Sequence, residues 1–423
     1  VGDLLFVGAR QVVTCAGPAR ARRGDEMRDA AILTDTAVAT HDGRIAAVGP
    51  RTSLERDYPG AERIDCTRGI LTPGLVDSHT HALFGRPRFE EHELRASGQS
   101  YMEIAQKGGG IHASVRDIAA RTERELVDLA QPRLARLAAH GTTTLEIKSG
   151  YGVSTETELR MLRAIRTLAA ELPMRIVPTW LGAHEIPAAA RATEHARREW
   201  MAMLRDEMLP RVVAEGLASF ADVFCEPGVY TVAEARDLLG AAQAAGLGAK
   251  LHADELEPSG AAELGASIGA VSVDHLAAIS DRGIDALAQS STVATLLPGT
   301  MLFLGRQSNA PARKLIEAGA AVSLASDFNP GSSPTVNFPL ILTLGVSQLR
   351  LSVAEVLVAT TVNGAAALGI AREVGQLAPG FSADLALFEA DDIRELPYWY
   401  GDRRCRGTWV RGKPCHQYEL GVS

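Results

Sequence analysis

Eight short apolar segments recur between residues 75 and 327, and most are followed by stretches of helical periodicity: LVDSH, TTTLEIK, RIVPTWL, FADVFC, AKLHA, AVSVDH, TVATLL and AVSLASD. Alternation of that kind is the signature of repeated βα units. Eight units close a (β/α)8 barrel, although a doubly wound open sheet gives a similar alternation. The position of the reactive side chains separates the two. His79, Lys148, His184, Glu226, His252, His275 and Asp327 fall at or just beyond the C-terminal ends of seven segments, and the eighth ends in Pro298-Gly299. In a closed barrel those ends surround one mouth, where active sites are built. The expected fold is therefore an α/β TIM barrel. One of its helices is predicted over TETELRMLRAIRTLAAEL, where Leu159, Leu162, Ile165, Leu168 and Leu172 share a face and Thr155 with Glu158 has the spacing of a capping box.

Both ends of the chain have a different texture. Residues 1 to 68 read as short strands, with Asp42-Gly43 between alternating apolar runs as a hairpin signal. Strands broken by Gly and Pro return in GQLAPGFSADLALF and GTWVRGKPCHQ. Neither end can bury a sheet face alone, so the two are expected to pair into one small β-sandwich domain. The expected division is residues 1–68 plus 371–423 for that domain and 69–370 for the barrel.

A chain of 423 residues that is 46% hydrophobic and 22% charged has the profile of a folded globular protein. Its net charge of −8, without a Lys/Arg-rich stripe, argues against nucleic acid and for a small-molecule substrate. No segment reaches the roughly 20 apolar residues of a membrane helix, so no membrane partner is expected. VGDLLFVGAR lacks the basic start of a signal peptide, and five scattered cysteines without CxxC spacing fit a reducing compartment. The cytoplasm is the expected location.

Within SHTH, alternating side chains of a strand end share a face, so His79 and His81 point the same way. Alone, the pair reads more readily as two polar residues at a strand terminus than as metal ligands. LHADE and ASDFNPGSS change the balance, because three neutral imidazoles and a carboxylate at strand termini make an N/O set suited to a first-row divalent ion. The expected ligands are His79, His81, His252 and Asp327. An ion there would lower the pKa of water from about 15.7 to about 7 and polarise a carbonyl, which makes hydrolysis the natural reaction. Glu255, just past its strand, is the candidate for proton transfer, and His275 for a hydrogen bond to the attacked oxygen or the water. Lys148 reads better as an ion pair near the site than as a carbamylated bridge between two metals. Glu226 is left open as support for a second metal. Gly108-Gly109-Gly110 is no P-loop, and neither HExxH nor GxSxG occurs.

The set PGLVDSHTH, LHADE, VDH and ASDFNPGS resembles the amidohydrolase superfamily, and within it the imidazolonepropionase family. From about residue 70 to 340 the motifs HTHALFGRPRFEEHELRASGQSYMEIAQKGGGI, EIKSGYG, WLGAHEIP, ADVFCEPGVY, LHADE, DHL, LLPG and SDFNPGSSPT follow that family in order. The resemblance implies ring opening of 4-imidazolone-5-propionate by water to N-formimidoyl-L-glutamate, one zinc or iron ion, and a homodimer. It implies that Glu255 and His275 act on the water and the tetrahedral intermediate, and that Asp327 shuttles a proton to the leaving nitrogen. Tyr151, His184, Asn329, Gly331 and Ser332 match substrate-contacting positions, and Glu255 is carried with them. Arg88 is expected to hold the propionate carboxylate bidentately. Here the chain departs from the family, with Gly85-Arg86-Pro87-Arg88 in place of the usual glycine-rich approach, so Arg86 competes for that role. Tyr101 is expected to line the same pocket. The alternatives are a related deaminase or cyclic-amide hydrolase, and a catalytically silent barrel scaffold.

Overall fold

The structure, a computed structural model, describes residues 2–99, 103 and 109–417. All eight expected barrel strands form: β1 (Leu75–Asp77), β2 (Thr142–Lys148), β3 (Arg175–Ala183), β4 (Phe220–Cys225), β5 (Gly248–Ala253), β6 (Ser272–His275), β7 (Val293–Leu296) and β8 (Ala321–Leu324). They pair in parallel in sequence order as one eight-stranded sheet. The seam between β8 and β1 is drawn together just beyond the strand ends. Thr80 bridges Phe328, Asp327 donates its N–H to His79 at 3.1 Å, and the Ser326 hydroxyl donates to the buried Asp77 carboxylate at 2.5 Å.

Side-chain alternation sorts each strand. In β2, Leu145 and Ile147 join the large apolar core shared with the surrounding helices, while Glu146 and Lys148, on the opposite face, meet charged partners from other strands. Helix Thr155–Glu171 packs Leu159, Leu162, Ile165 and Leu168 into that core as its periodicity predicts. Its N-cap is Ser154, one residue earlier than the capping-box spacing suggested, because Glu158 is used elsewhere. Intact capping boxes occur at Thr122 with Glu125, Thr231 with Glu234 and Ser352 with Glu355; an N-cap of this kind contributes about 1 kcal/mol.

Strands from both chain ends form two further sheets. One has the order Arg44–Pro50, Thr36–His41, Leu4–Val7, Glu62–Asp65. The other has the order Lys413–Gln417, Cys405–Val410, Leu385–Glu389, Gly69–Pro73, Gln11–Val13, Ile32–Leu33. The Asp42-Gly43 hairpin forms, with both residues at positive φ (47° and 74°), as a two-residue turn between right-twisted strands requires. Phe6 of the first sheet meets Trp409 of the second edge to face, with ring centroids 5.0 Å apart, inside a core that includes Leu4, Val38, Ile45 and Leu385. The result is a sandwich in which a single aromatic pair of this geometry adds about 1 kcal/mol beyond its buried area. Gly69–Pro73 pairs with Leu385–Glu389, and after Gly74 the chain is already in β1. A side chain at Gly74 would collide with Thr143, whose Oγ1 would stand 2.0 Å from the added carbon.

Among the described residues, no helix is long and apolar enough to cross a membrane.

Candidate metal centre

His79 and His81 follow β1, His252 is the penultimate residue of β5, and Asp327 lies three residues past β8. The barrel brings them together. One nitrogen from each of the three imidazoles lies within 4.8 Å of the others, and all three rings are buried. His81 Nε2 is 3.4 Å from His252 Nε2, and Asp327 Oδ1 is 3.6 Å from His79 Nε2 and 3.7 Å from His81 Nε2.

Each of two rings is aimed by a carboxylate behind it. His79 Nδ1 lies 2.6 Å from Asp274 Oδ2, and His252 Nδ1 lies 3.0 Å from Asp222 Oδ2. At His79 this contact is a hydrogen bond, and a carboxylate that accepts it fixes the proton on Nδ1 and turns the Nε2 lone pair inward; at His252 the carboxylate stands at ion-pair distance. That inward His79 Nε2 is buried and has no hydrogen-bond partner among the described residues. A buried polar atom without a partner costs about 1–3 kcal/mol, and a cation among these lone pairs removes that cost. Burial, with Lys148 nearby, holds His79 well below its ordinary pKa, and burial does the same for His81, so both rings are neutral. Burial pushes Asp327 up to about 6, and burial with the Asp327 charge pushes Glu255 up to about 8. Two buried carboxyls that resist ionisation, beside the orphaned His79 nitrogen and two further clustered imidazoles, fit one positive ion.

Asp327 is held at φ 52°, and its other oxygen accepts from the Thr300 hydroxyl at 2.5 Å. His275, last in β6 at φ 80°, puts its ring 5.2 Å from that of His252 and its Nε2 3.6 Å from Glu255 Oε2. Glu226 does not face this cluster. Its carboxylate accepts the backbone N–H groups of Glu255, Leu256 and Glu257, which fixes the loop that carries Glu255.

One wall of the site is aromatic. The His184 ring stacks on His81 at 5.1 Å and lies 5.5 Å from the Tyr151 ring, while its Nδ1 donates to the Gly150 carbonyl at 3.1 Å. Tyr151 is buried in the SGYG loop. That loop is pinned by the buried carboxylate of Glu158, which accepts from the N–H groups of Gly150 and Gly152 at 3.0 and 2.5 Å.

Arg88 and Arg86 are placed quite differently. Arg88 is 13% exposed, pairs with Glu91 at 3.2 Å and reaches Ser114 at 3.5 Å, whereas the Arg86 side chain is 71% exposed and faces Glu90. The Arg88 charge acts on the buried Tyr151 hydroxyl, opposing the upward push of burial. Its guanidinium rests on Gly331. Within that loop the Asn329 amide is engaged locally: Oδ1 accepts from the N–H groups of Gly331 and Ser332, both at 2.8 Å, and Nδ2 donates to the Asp327 carbonyl and the Ser332 hydroxyl. Tyr101 lies outside the described residues.

Lys148 sits beneath the cluster, fully buried, and makes ion pairs with Glu146 and Asp222 at 2.7 Å each. Sequence reasoning missed Asp222, Asp274, Thr300, Glu158 and Glu91. The available signal was an ionisable residue in the interior of an apolar strand, as in FADVFC and AVSVDH.

A profile of the amidohydrolase family matches residues 106–416, and one of the bacterial imidazolonepropionase-like composite domain matches residues 37–61. An imidazolonepropionase of Symbiobacterium thermophilum is 47% identical over 403 residues, 94% of each chain. This chain belongs to the imidazolonepropionase family. Another member, from Bacillus velezensis, is 42% identical over 413 residues, 97% of this chain and 96% of that one. In architecture the chain is similar to a zinc-bound adenosine deaminase from Xanthomonas campestris, with a TM-score of 0.73, 18% identity and coverage of 99% of this chain and 95% of the other. At that identity the likeness concerns the fold alone. Membership of the family extends over the terminal sandwich as well as the barrel, since the matches to the relatives span nearly the full length.

Proposed function

We propose that this chain opens the ring of 4-imidazolone-5-propionate with water, yielding N-formimidoyl-L-glutamate. The observation that carries the reading is the buried cluster of three imidazoles, with a shielded guanidinium on the loop that follows Asp327: a hydrolytic metal centre next to a carboxylate anchor. His79, His81, His252 and Asp327 would hold one zinc or iron ion. Bound there, the ion supplies Lewis acidity, which activates water near neutral pH and polarises the ring carbonyl.

The remaining steps belong to side chains. Arg88 pairs with the propionate, while Tyr151 and His184 wall the ring and the loop Asn329–Ser332 closes over it. Arg86 and Tyr101 are the lesser candidates for contact with that tail. Glu255, held beside His275 at 3.6 Å, takes the proton from water in its ionised form, which the ion's charge favours, as the new C–O bond forms. His275 donates a hydrogen bond to the oxygen of the tetrahedral intermediate. Asp327 takes the remaining proton from the added hydroxyl of that intermediate and delivers it to the ring nitrogen as the C–N bond breaks. A deaminase acting on a neutral base has no use for Arg88, and a silent scaffold has none for the oriented histidines.

Incubation of metal-loaded protein with imidazolone propionate, beside nucleobases and hydantoins, tests the reading. Decay of the ultraviolet absorbance of imidazolone propionate is expected; consumption of a nucleobase instead would move the chain to the deaminases. We carry the cytoplasmic location with this proposal, supported by five free cysteines, four of them buried. The homodimer, implied by resemblance, is checked by light scattering. The division into 1–68 plus 371–423 and 69–370 is checked by limited proteolysis.

A further inference from the structure

Beneath the three histidines the barrel interior is charged. Glu146, Lys148, Asp222, Lys250 and Asp274 come from four strands, and all are buried. Lys148 Nζ lies 2.7 Å from Glu146 Oε2, 2.7 Å from Asp222 Oδ2 and 3.7 Å from Asp274 Oδ2. Asp222 Oδ2 is the oxygen that also faces His252 Nδ1, and Asp274 Oδ2 the one that faces His79 Nδ1. One ammonium therefore touches the back of both carboxylates that aim the histidines. His79, Glu146 and Asp274 also bring three donor atoms within 4.8 Å, enough for a second metal ion. Two of those three donors, Glu146 and Asp274, are already turned to the ammonium.

We infer that Lys148 is a built-in second cation: it occupies the ground between Glu146, Asp222 and Asp274 that a second metal would need, and through the two aspartates it positions His79 and His252 for the single ion above. The inference rests on the reading of the histidine cluster as a metal centre. A ligand imidazole binds well only while its far nitrogen is held by a fixed acceptor, and loss of that acceptor typically weakens metal affinity tenfold to a hundredfold. Here the two acceptors come from β4 and β6, and Lys148 of β2 is the group they share. Lys250 is engaged differently, with Glu146 Oε1 at 3.1 Å and the carbonyls of Ser78 and Ala367. It makes no ion pair with either aspartate among the described residues, although its charge, like that of Lys148, favours the ionised Asp274.

The test is the zinc affinity of the metal-stripped full chain, read by competition with a chromophoric chelator, with circular dichroism reporting the fold. Lys148→Met removes the charge. Lys148→Met combined with Glu146→Gln removes one charge of each sign and spares the interior an unpaired carboxylate. In whichever keeps the wild-type spectrum, zinc affinity should fall tenfold to a hundredfold. Adding Asp274→Asn, which weakens zinc binding on its own, should then cost no more than about twofold. Unchanged zinc affinity overturns the inference, and so does an Asp274→Asn effect that simply adds. Loss of the native spectrum in both charge-deleted variants also overturns it, because Lys148 would then serve the barrel and not the histidines. His252→Ala separates this from the underlying reading. If that variant still binds zinc normally, the metal-centre reading fails. If it loses zinc while the Lys148 variants keep full affinity, only the present inference fails.

Discussion

The Arg88 guanidinium lies flat against Gly331, so close that a Cβ on that glycine would stand 2.1 Å from Nη2. Two distant parts of the chain thus meet with no room for a methyl group. The glycine is what lets the cation approach the loop that follows Asp327.

Gly331→Ala should consequently displace the far end of a flexible side chain and leave the backbone in place. Thermal stability is expected to change little, within about 1 kcal/mol. The KM for a propionate-bearing substrate should rise at least tenfold, since a bidentate pair does not survive a shift of this size. Steady-state kinetics beside a melting curve checks both halves.

Arg88→Met removes the anchor and retains much of the volume. Loss of a charge-assisted pair in a shielded pocket amounts to about 2–3 kcal/mol, or roughly 30- to 150-fold in KM. The same change should leave a ring substrate without the carboxylate unaffected. An unaltered KM for imidazolone propionate would transfer the contact to Arg86.

Glu255→Gln should separate binding from chemistry. Its carboxyl is within 4 Å of His275 but is not among the clustered ligand atoms, so metal content by elemental analysis should match wild type. Turnover should fall by about two to four orders of magnitude, the usual contribution of a general acid or base. A wild-type rate and pH profile would remove Glu255 as the proton carrier.

A pH-dependent part of the stability lies far from the site, at Glu355. This buried carboxylate caps helix Val353–Ala359, accepting from the Ser352 N–H at 2.7 Å and from Arg313 at 2.8 Å. Burial raises its pKa, but those two donors outweigh the effect and hold it below the ordinary 4.5. A depressed folded-state pKa contributes stability above the unfolded value and loses it as pH falls through the folded one. Glu355→Gln should therefore lower the melting temperature by about 2 °C at neutral pH, given a half-exposed arginine partner that weakens the pair. The gap should narrow progressively below about pH 4.5.

The strands of the barrel were legible because apolar runs of strand length announce themselves, and the chemistry at their ends singled out one face. The hairpin at Asp42-Gly43 was legible because few residue pairs accept two positive φ angles. The groups behind the histidines were not. Asp222 and Asp274 are single acids in apolar runs, and nothing in one dimension says that both turn toward the same lysine. Glu158 misled in a specific way: its spacing from Thr155 fits a capping box, yet the carboxylate is drawn to Gly150 and Gly152. Which of Arg86 and Arg88 is shielded depends on which side of one proline turns inward, and only the folded chain reveals that.

The seam of the barrel sets an order of events. Asp77 and Ser326, which tie its first and last staves, are 249 residues apart, and Asp327 is the next residue along. A nascent polypeptide still on the ribosome owns the three clustered imidazoles before it owns the proposed fourth ligand. On the proposed ligand set, loading of the ion would follow synthesis of the last stave, a step that a product terminated before Asp327 cannot finish.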